Sequence, residues 1–338
     1  MTSRSVSVVI PTYNRAALLG RAVESALAQT MAPLEILIVD DGSTDDTRAV
    51  CAQWSAPVRY IATPNGGVAK ARNVGIAEAR GEWVALLDSD DEWEPDKLAA
   101  QCAVLDAASE ARWCITGCTL IDGNGQPRPG RQGFEAAFPV FSEVKDSAAE
   151  YFGRVLRQIG PDAYAGDLFE TLFRGNVVLP SSALVHKSVF ERCGVFDPQF
   201  RYAEETEFFH RVAASFPVAV LLSPLVRYRV AQAGSLTSPE NTARLIKNAL
   251  RSLDKARQLR LHDRSIRRAC RVGSASLIVR LAYTHLSNYD PRLARHVIRI
   301  ALNNGAARKP RAWGILLASF LPASTLRGLH ALKRRLRP

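Results

Sequence analysis

Residues Asn65–Leu98, NGGVAKARNVGIAEARGEWVALLDSDDEWEPDKL, decide the fold. Gly66 and Gly67 open the stretch. An Ala-rich segment follows, in which Val68, Ala71, Val74 and Ile76 are spaced like one face of a helix. Gly81 ends it, as glycine often does just past a helix terminus. Trp83–Leu87 reads as a short buried strand that runs into Asp88-Ser89-Asp90-Asp91. Three carboxylates at the carboxyl end of a strand repel one another. A hard divalent cation, Mg²⁺ or Mn²⁺, held jointly with phosphate oxygens would offset that repulsion. The competing reading is an acidic loop ahead of the next helix, with Glu94 and Asp96 in its first turn.

Toward the N terminus the same alternation recurs. Val6–Ile10 is a strand of the buried parallel type that Pro11 is expected to stop. Arg15–Ala28 reads as a helix, Leu34–Val39 as a second strand, Thr44–Trp54 as a helix and Val58–Ile61 as a third strand. Ser43 and Asp46 are placed like a near-capping box for the second helix. Strands alternating with helices predict a parallel sheet covered on both faces. Ligands of such sheets bind beyond the carboxyl ends of the strands. Thr12-Tyr13-Asn14, Asp40-Asp41, Asn65-Gly66-Gly67 and Asp88-Ser89-Asp90 all fall there. The chain has no GxGxxG after the first strand and no GxxxxGK[ST], which argues against a hydride-transfer enzyme and a P-loop NTPase.

Composition narrows the class further. The 338 residues are 47% hydrophobic, enough for one large core or two domains. The six cysteines show no disulfide spacing, and Cys114 and Cys118 lack the partners of a zinc site, so a reducing compartment is expected. Val6–Ile10 is too short for a signal-peptide core. No apolar run reaches the ~18 residues of a membrane span. A cytoplasmic protein, free or peripheral on the inner face of the membrane, is expected. Residues 241–338 carry 22 Lys/Arg against 3 Asp/Glu, whereas residues 1–240 carry 22 against 30. A basic C-terminal region on an acidic body points to an anionic partner. Zinc-finger spacing and RNA-binding aromatic strands are both missing, so nucleic acid is not expected.

Three stretches, VSVVIPTYNR, LEILIVDDGSTDDT and the 65–98 segment, resemble the nucleotide-sugar-binding half of family 2 glycosyltransferases. This is the inverting GT-A class, here of the bacterial cell-surface polysaccharide type. The resemblance is close over residues 5–110 and looser over 170–236. It implies an α/β GT-A fold with a mostly parallel central sheet over residues 1–236. Residues 1–110 would form the nucleotide-sugar half and 111–236 the acceptor and catalytic half, followed by a basic helical region over 237–338.

By the same resemblance, Pro11, Thr12, Tyr13, Asn14 and Asp41, with Asp40 as the alternative, would hold the base and ribose of a UDP- or dTDP-sugar. Lys70 and Arg72 would face phosphate, or else lie on the helix surface. Asp88, Ser89 and Asp90 form the DxD motif, with Asp90 the direct ligand of Mn²⁺ or Mg²⁺ bridging the donor phosphates. Arg229, with Arg227, would neutralise the leaving diphosphate. Relatives carry Glu-Asp where this chain has Glu204-Glu205, which puts Glu205 at the catalytic-base position and Glu204 second. Ala231 stands where relatives often place a metal-binding histidine. These two departures leave a catalytically impaired nucleotide-sugar-binding or scaffold protein as the alternative. Ser181 and Ser182 read either as acceptor or phosphate contacts or as a turn. Phe134, Phe138, Phe141, Tyr151 and Phe152 read as acceptor-side or core aromatics. The acceptor would be a saccharide or lipid-linked hydroxyl in surface polysaccharide or glycolipid synthesis. The segment Thr325–Arg337 has one leucine face amid basic residues, as in helices lying on anionic membranes.

Overall fold

The computed structural model describes residues 4–130, 132–138, 146–230, 241–288, 290–303, 306, 310–322 and 324–326. The chain divides between Gln232 and Ala233 into two compact units.

The first unit is built on a ten-stranded sheet in the order β3-β2-β1-β4-β9-β6-β10-β8-β7, with β5 paired to β10. Here β1 is Val6–Thr12, β2 Glu35–Asp40, β3 Val58–Ala62, β4 Trp83–Leu86 and β5 Glu92–Trp93. The others are β6 Trp113–Ile121, β7 Arg157–Gly160, β8 Ala163–Gly166, β9 Leu184–His186 and β10 Val218–Arg229. Strands β1 to β4 are parallel, and every residue of β1, β2 and β4 is buried, as continuous apolar runs require in a sheet covered on both faces. β1 does not stop at Pro11: Pro11 and Thr12 still pair with Val39 and Asp40, since proline removes only one donor from the ladder.

Beyond β4 the sheet is mixed rather than mostly parallel. The short β9 inserts antiparallel between β4 and β6, and β7 and β8 form an antiparallel hairpin on β10. The long β10 is parallel to β6, and its register shifts around Pro224.

Four helices flank the parallel half: α1 Ala16–Leu27, α2 Thr47–Cys51, α3 Val68–Glu78 and α4 Lys97–Ala107. α3 lies against β1 at a separation that only glycine allows. A Cβ on Gly75 would stand 2.3 Å from Val9 Cγ1. α2 is shorter than expected because Ser43 turns away from it and its Oγ accepts the Asn14 N–H instead, at 2.9 Å. Further along lie α5 Phe134–Ala137, α6 Ala148–Val155, α7 Phe169–Arg174, α8 Lys187–Cys193 and α9 Glu204–Ser215. Phe134, Tyr151 and Phe152 are core residues, the Phe134 and Phe152 rings meeting edge-on at 5.0 Å; Phe141 lies outside the described residues.

The second unit is helical: α10 Thr242–Arg257, α11 Arg264–Ser287, α12 Pro291–Asn303 and α13 Pro310–Ala318. Ile246, Ala282, Ile298 and Ala312 are fully buried in its core. The expected leucine-faced segment lies outside the described residues from 327 onward. Among the described residues no helix is long and apolar enough to cross a membrane.

Candidate active site

The loops after β1, β2 and β4 meet at the carboxyl edge of the parallel strands. After β2, both oxygens of Asp41 accept backbone N–H groups, from Gly66 at 2.8 Å and from Gly67 at 2.8 Å. Gly67 has φ 91°, a backbone angle that favours glycine, and it starts α3. Asp40 accepts the Ser43 N–H at 2.8 Å and the Tyr60 hydroxyl at 2.7 Å. The two aspartates expected at the base and ribose thus first serve to shape the loops. After β1, Asn14 has φ 51° and its Oδ1 accepts the Thr44 N–H at 2.8 Å. Thr12 Oγ1 is buried and has no hydrogen-bond partner among the described residues, while Tyr13 is 46% exposed. Lys70 is exposed on α3.

The four residues of the carboxylate loop after β4 have separate fates. Asp88 accepts Arg72 Nη2 at 2.7 Å. Ser89 is buried. Asp91 is buried, with its oxygens taken by Ser181 Oγ at 2.6 Å and by the Arg229 N–H at 3.0 Å. Among the described residues, the Asp90 carboxylate has one ion-pair partner, Arg15 Nε at 4.0 Å, with the Arg229 charge acting on it more weakly. Burial, and then the charge of Asp88, push its carboxyl above the usual range. An under-neutralised hard oxygen donor beside a second carboxylate fits a divalent cation. Among the described residues, no group of three or more His, Cys, Asp or Glu is arranged to hold a metal. A cation at Asp90 and Asp88 would therefore need oxygens from a ligand, as a diphosphate supplies. Position 231 lies outside the described residues.

Arg72 does not lie on an open surface. It is buried and forked between Asp88 and Glu204, whose Oε1 accepts Arg72 Nη1 at 2.7 Å. Burial opposes its charge, but the two carboxylates outweigh that and hold its pKa above the ordinary arginine value. This ion-pair chain ties the carboxylate loop to the start of α9.

α9 opens with three glutamates. Glu204 is buried on Arg72, and Glu207 is buried on Arg211, four residues along the helix. Glu205 is only partly buried and has no ion pair among the described residues. Its Oε1 accepts the Thr206 hydroxyl at 3.1 Å and lies 3.5 Å from Asn176 Nδ2. Burial, and then the neighbouring Glu204 charge, push its carboxyl up to about 7. Ala203, just before the helix, has φ 60°, and a non-glycine residue held there costs about 1–3 kcal/mol.

Arg229 is not free to meet a diphosphate. Its Nε donates to Asp90 O and its Nη1 to Asp122 O and Gly123 O, while Nη2 pairs with Glu92. Arg227 is likewise engaged, with Gly125 O and Glu92. Ser181 and Ser182 are buried in a 3-10 turn. Ser181 Oγ accepts the Asp88 N–H at 3.0 Å and donates to Asp91, so it grips both ends of the carboxylate loop. Sequence spacing carried no signal for that role, or for Arg15 beside Asp90, because both depend on contacts between distant segments.

Residues 7–135 match the family model described as "Glycosyl transferase family 2". An uncharacterized glycosyltransferase of Nostoc sp. is 45% identical over 123 residues, 35% of this chain and 38% of that protein. The succinoglycan biosynthesis protein ExoO of Rhizobium meliloti is 48% identical over 105 residues, 30% of each chain. These matches thus span well under half the length of either relative. The crystal structure of S. aureus TarS 1–349 in complex with UDP-GlcNAc is 17% identical, with a TM-score of 0.54, covering 89% of each chain. Residues 7–135 are thus similar to family 2 glycosyltransferases, and the sheet order together with the likeness to TarS gives the chain a GT-A fold.

Proposed function

We propose that this protein is an inverting glycosyltransferase that moves a sugar from a nucleotide-diphospho-sugar to a hydroxyl acceptor, with Glu205 as the base. One observation carries the reading: of the three glutamates opening α9, Glu204 is neutralised by the buried Arg72 and Glu207 by the half-buried Arg211, and Glu205 is left with no ion pair among the described residues. It stands beside Glu204, which Arg72 links to the carboxylate loop. A general base works best with a pKa near the operating pH, and a carboxyl pushed up to about 7 meets that condition. In an inverting transfer the ionised carboxylate takes the acceptor proton as the acceptor oxygen bonds to the anomeric carbon and the nucleoside diphosphate departs. No covalent sugar–enzyme intermediate forms.

Donor binding falls to the loops after β1 and β2. Thr12 Oγ1, buried and unpartnered, supplies a hydrogen-bonding group, and Tyr13 an exposed ring, for the nucleoside. The UDP-GlcNAc in the TarS structure supports a UDP-sugar. Asp90 and Asp88 would hold Mg²⁺ or Mn²⁺, which supplies positive charge against the departing diphosphate. ExoO's part in succinoglycan biosynthesis supports a saccharide or lipid-linked acceptor in polysaccharide synthesis.

The test is transfer from a panel of UDP-, dTDP- and GDP-sugars, with the anomeric configuration of the product determined. Glu205→Gln is expected to lower kcat by about 10²–10⁴ with donor affinity nearly unchanged. Asp90→Asn should weaken metal-dependent donor binding and turnover together. Wild-type turnover by Glu205→Gln would remove the base assignment, and a product retaining the donor configuration would remove the inverting mechanism.

A further inference from the structure

The helix Pro310–Ala318 shows its apolar side outward. Ala312, Ile315 and the following Ser319 are buried against the second unit's core. On the opposite side, Trp313 is 48% exposed, Leu317 70% and Phe320, just past the helix, 57%; Leu321 continues the patch. These positions repeat at i, i+4 and i+7/i+8, which gathers them into one stripe. A surface helix ordinarily turns polar residues to water, so apolar residues on both sides mark a surface with a partner. Leu317 and Phe320 are more exposed than any other large hydrophobic residue described in the chain.

The surroundings select the partner. Arg311 lies on the same helix with its guanidinium 5.0 Å from the Tyr283 ring, and Arg295 lies 4.0 Å from the Phe320 ring. On α12, Arg292, Arg299 and His296 are exposed together with Leu293 and Ile300. Residues 241–338 as a whole carry 22 Lys/Arg against 3 Asp/Glu. Large aromatic and aliphatic side chains framed by arginines suit the boundary between anionic headgroups and acyl chains, where the rings enter the apolar layer and the guanidinium groups meet phosphate.

We infer that the exposed face of α13, Trp313, Leu317, Phe320 and Leu321, seats the protein on an anionic lipid bilayer. The inference does not depend on the glycosyltransferase reading, since none of these residues belongs to the candidate active site. It assigns the apolar contact to α13 and leaves the basic residues beyond 327 a supporting electrostatic part.

The test uses the full chain. It is sedimented with vesicles of phosphatidylcholine alone and of phosphatidylcholine mixed with phosphatidylglycerol. Binding is expected only to the mixed vesicles and should weaken as salt rises. Replacing Leu317 and Phe320 together by Asp is expected to lower the partition coefficient by at least about tenfold, because two large side chains leave the apolar layer. Val155→Asp, at an exposed apolar position of the first unit, should bind like the parent. Because both replaced residues are exposed, their loss should leave the helical circular-dichroism signal intact. As a second measurement, bromine-labelled acyl chains should quench emission from the unaltered protein, and Trp313→Phe should remove most of that quenching. Four outcomes overturn the proposal: no binding to mixed vesicles, parental binding by the double Asp variant, no Trp313-dependent quenching, or a dimer that the double Asp variant dissociates. The last would make a second copy of the chain the occupant.

Discussion

Removing Arg72 should loosen the first unit and displace the pH profile of catalysis together. Arg72 makes two contacts at 2.7 Å with carboxylates, and its side chain is 3% exposed. A charge-assisted hydrogen bond contributes about 1.5–3 kcal/mol. Arg72→Lys keeps one ammonium where a fork held two partners, and so should lose roughly one such bond, about 1.5–3 kcal/mol. Arg72→Met leaves Glu204 buried without its cation, for which the expected loss is about 3–5 kcal/mol. Urea unfolding followed by tryptophan emission suits the measurement, because Trp54, Trp83, Trp93 and Trp113 lie in the first unit and only Trp313 in the second. With m-values of about 1–3 kcal/mol/M, the Arg72→Met midpoint should fall by about 1 M or more. Pairing the variant with Glu204→Gln should recover part of the loss, since the orphaned charge is then gone. Arg72 also lowers the Glu205 pKa through its charge. The base acts ionised, so activity falls as pH drops through about 7, and without Arg72 that fall should begin at higher pH. A midpoint within about 0.2 M of the parent would refute the buried-fork account. An unshifted acidic limb would separate Arg72 from the base.

Ser181→Ala should lower kcat more than it raises donor KM, and Ser181→Thr, which keeps the hydroxyl, should restore most of it; loss in both variants alike would mean simple misfolding. Lys97 is fully buried, with Nζ 2.7 Å from Gln101 Oε1 and 4.0 Å from the Trp93 ring centroid. Burial pushes its ammonium down from 10.5 to about 7, so between those values the unfolded chain binds more protons than the native one. Stability should therefore rise with pH across that window, and Lys97→Met should remove this part of the slope; parallel urea midpoints at pH 7 and pH 9 for the two proteins would contradict it. Glu205→Asp, which shortens the base by one methylene, should keep clearly more transfer activity in the donor-panel assay than Glu205→Gln.

The parallel half was legible because its signals are local. Runs such as Glu35–Asp40, IVD at their end, and the glycines of 65–67 fix strand, loop and helix start without help from distant residues. β10 is a weak signal in sequence, because Pro224 interrupts its apolar run and proline argues against a central strand. In the structure that proline sits where the register shifts, which lets the strand continue. The same limit divides the candidate site. Asp88, Asp90 and Glu205 stand out by residue type and position, and the chain brings the first and last of these together through Arg72 and Glu204. Arg229 looked available for phosphate because an arginine's partners cannot be read from its neighbours in sequence. Its partners are carbonyls and a carboxylate a hundred or more residues earlier.

The crossing of late residues onto an early loop has a consequence for how the chain is made. The carboxylate loop leaves the ribosome with residues 88–91, yet its fasteners are Ser181, Glu204 through Arg72, and Arg229. β4 likewise waits for β9 to cover its second edge, and β6 for β9 and β10. Pairings of such sequence separation are slow to form, and uncovered strand edges invite pairing with other chains. A nascent chain halted near residue 135, where the family match ends, would display an acidic loop held only by the early Arg72 and Arg15, with the second edge of β4 open and β6 unpaired. Such a fragment is expected to be a client for chaperones rather than a smaller working domain.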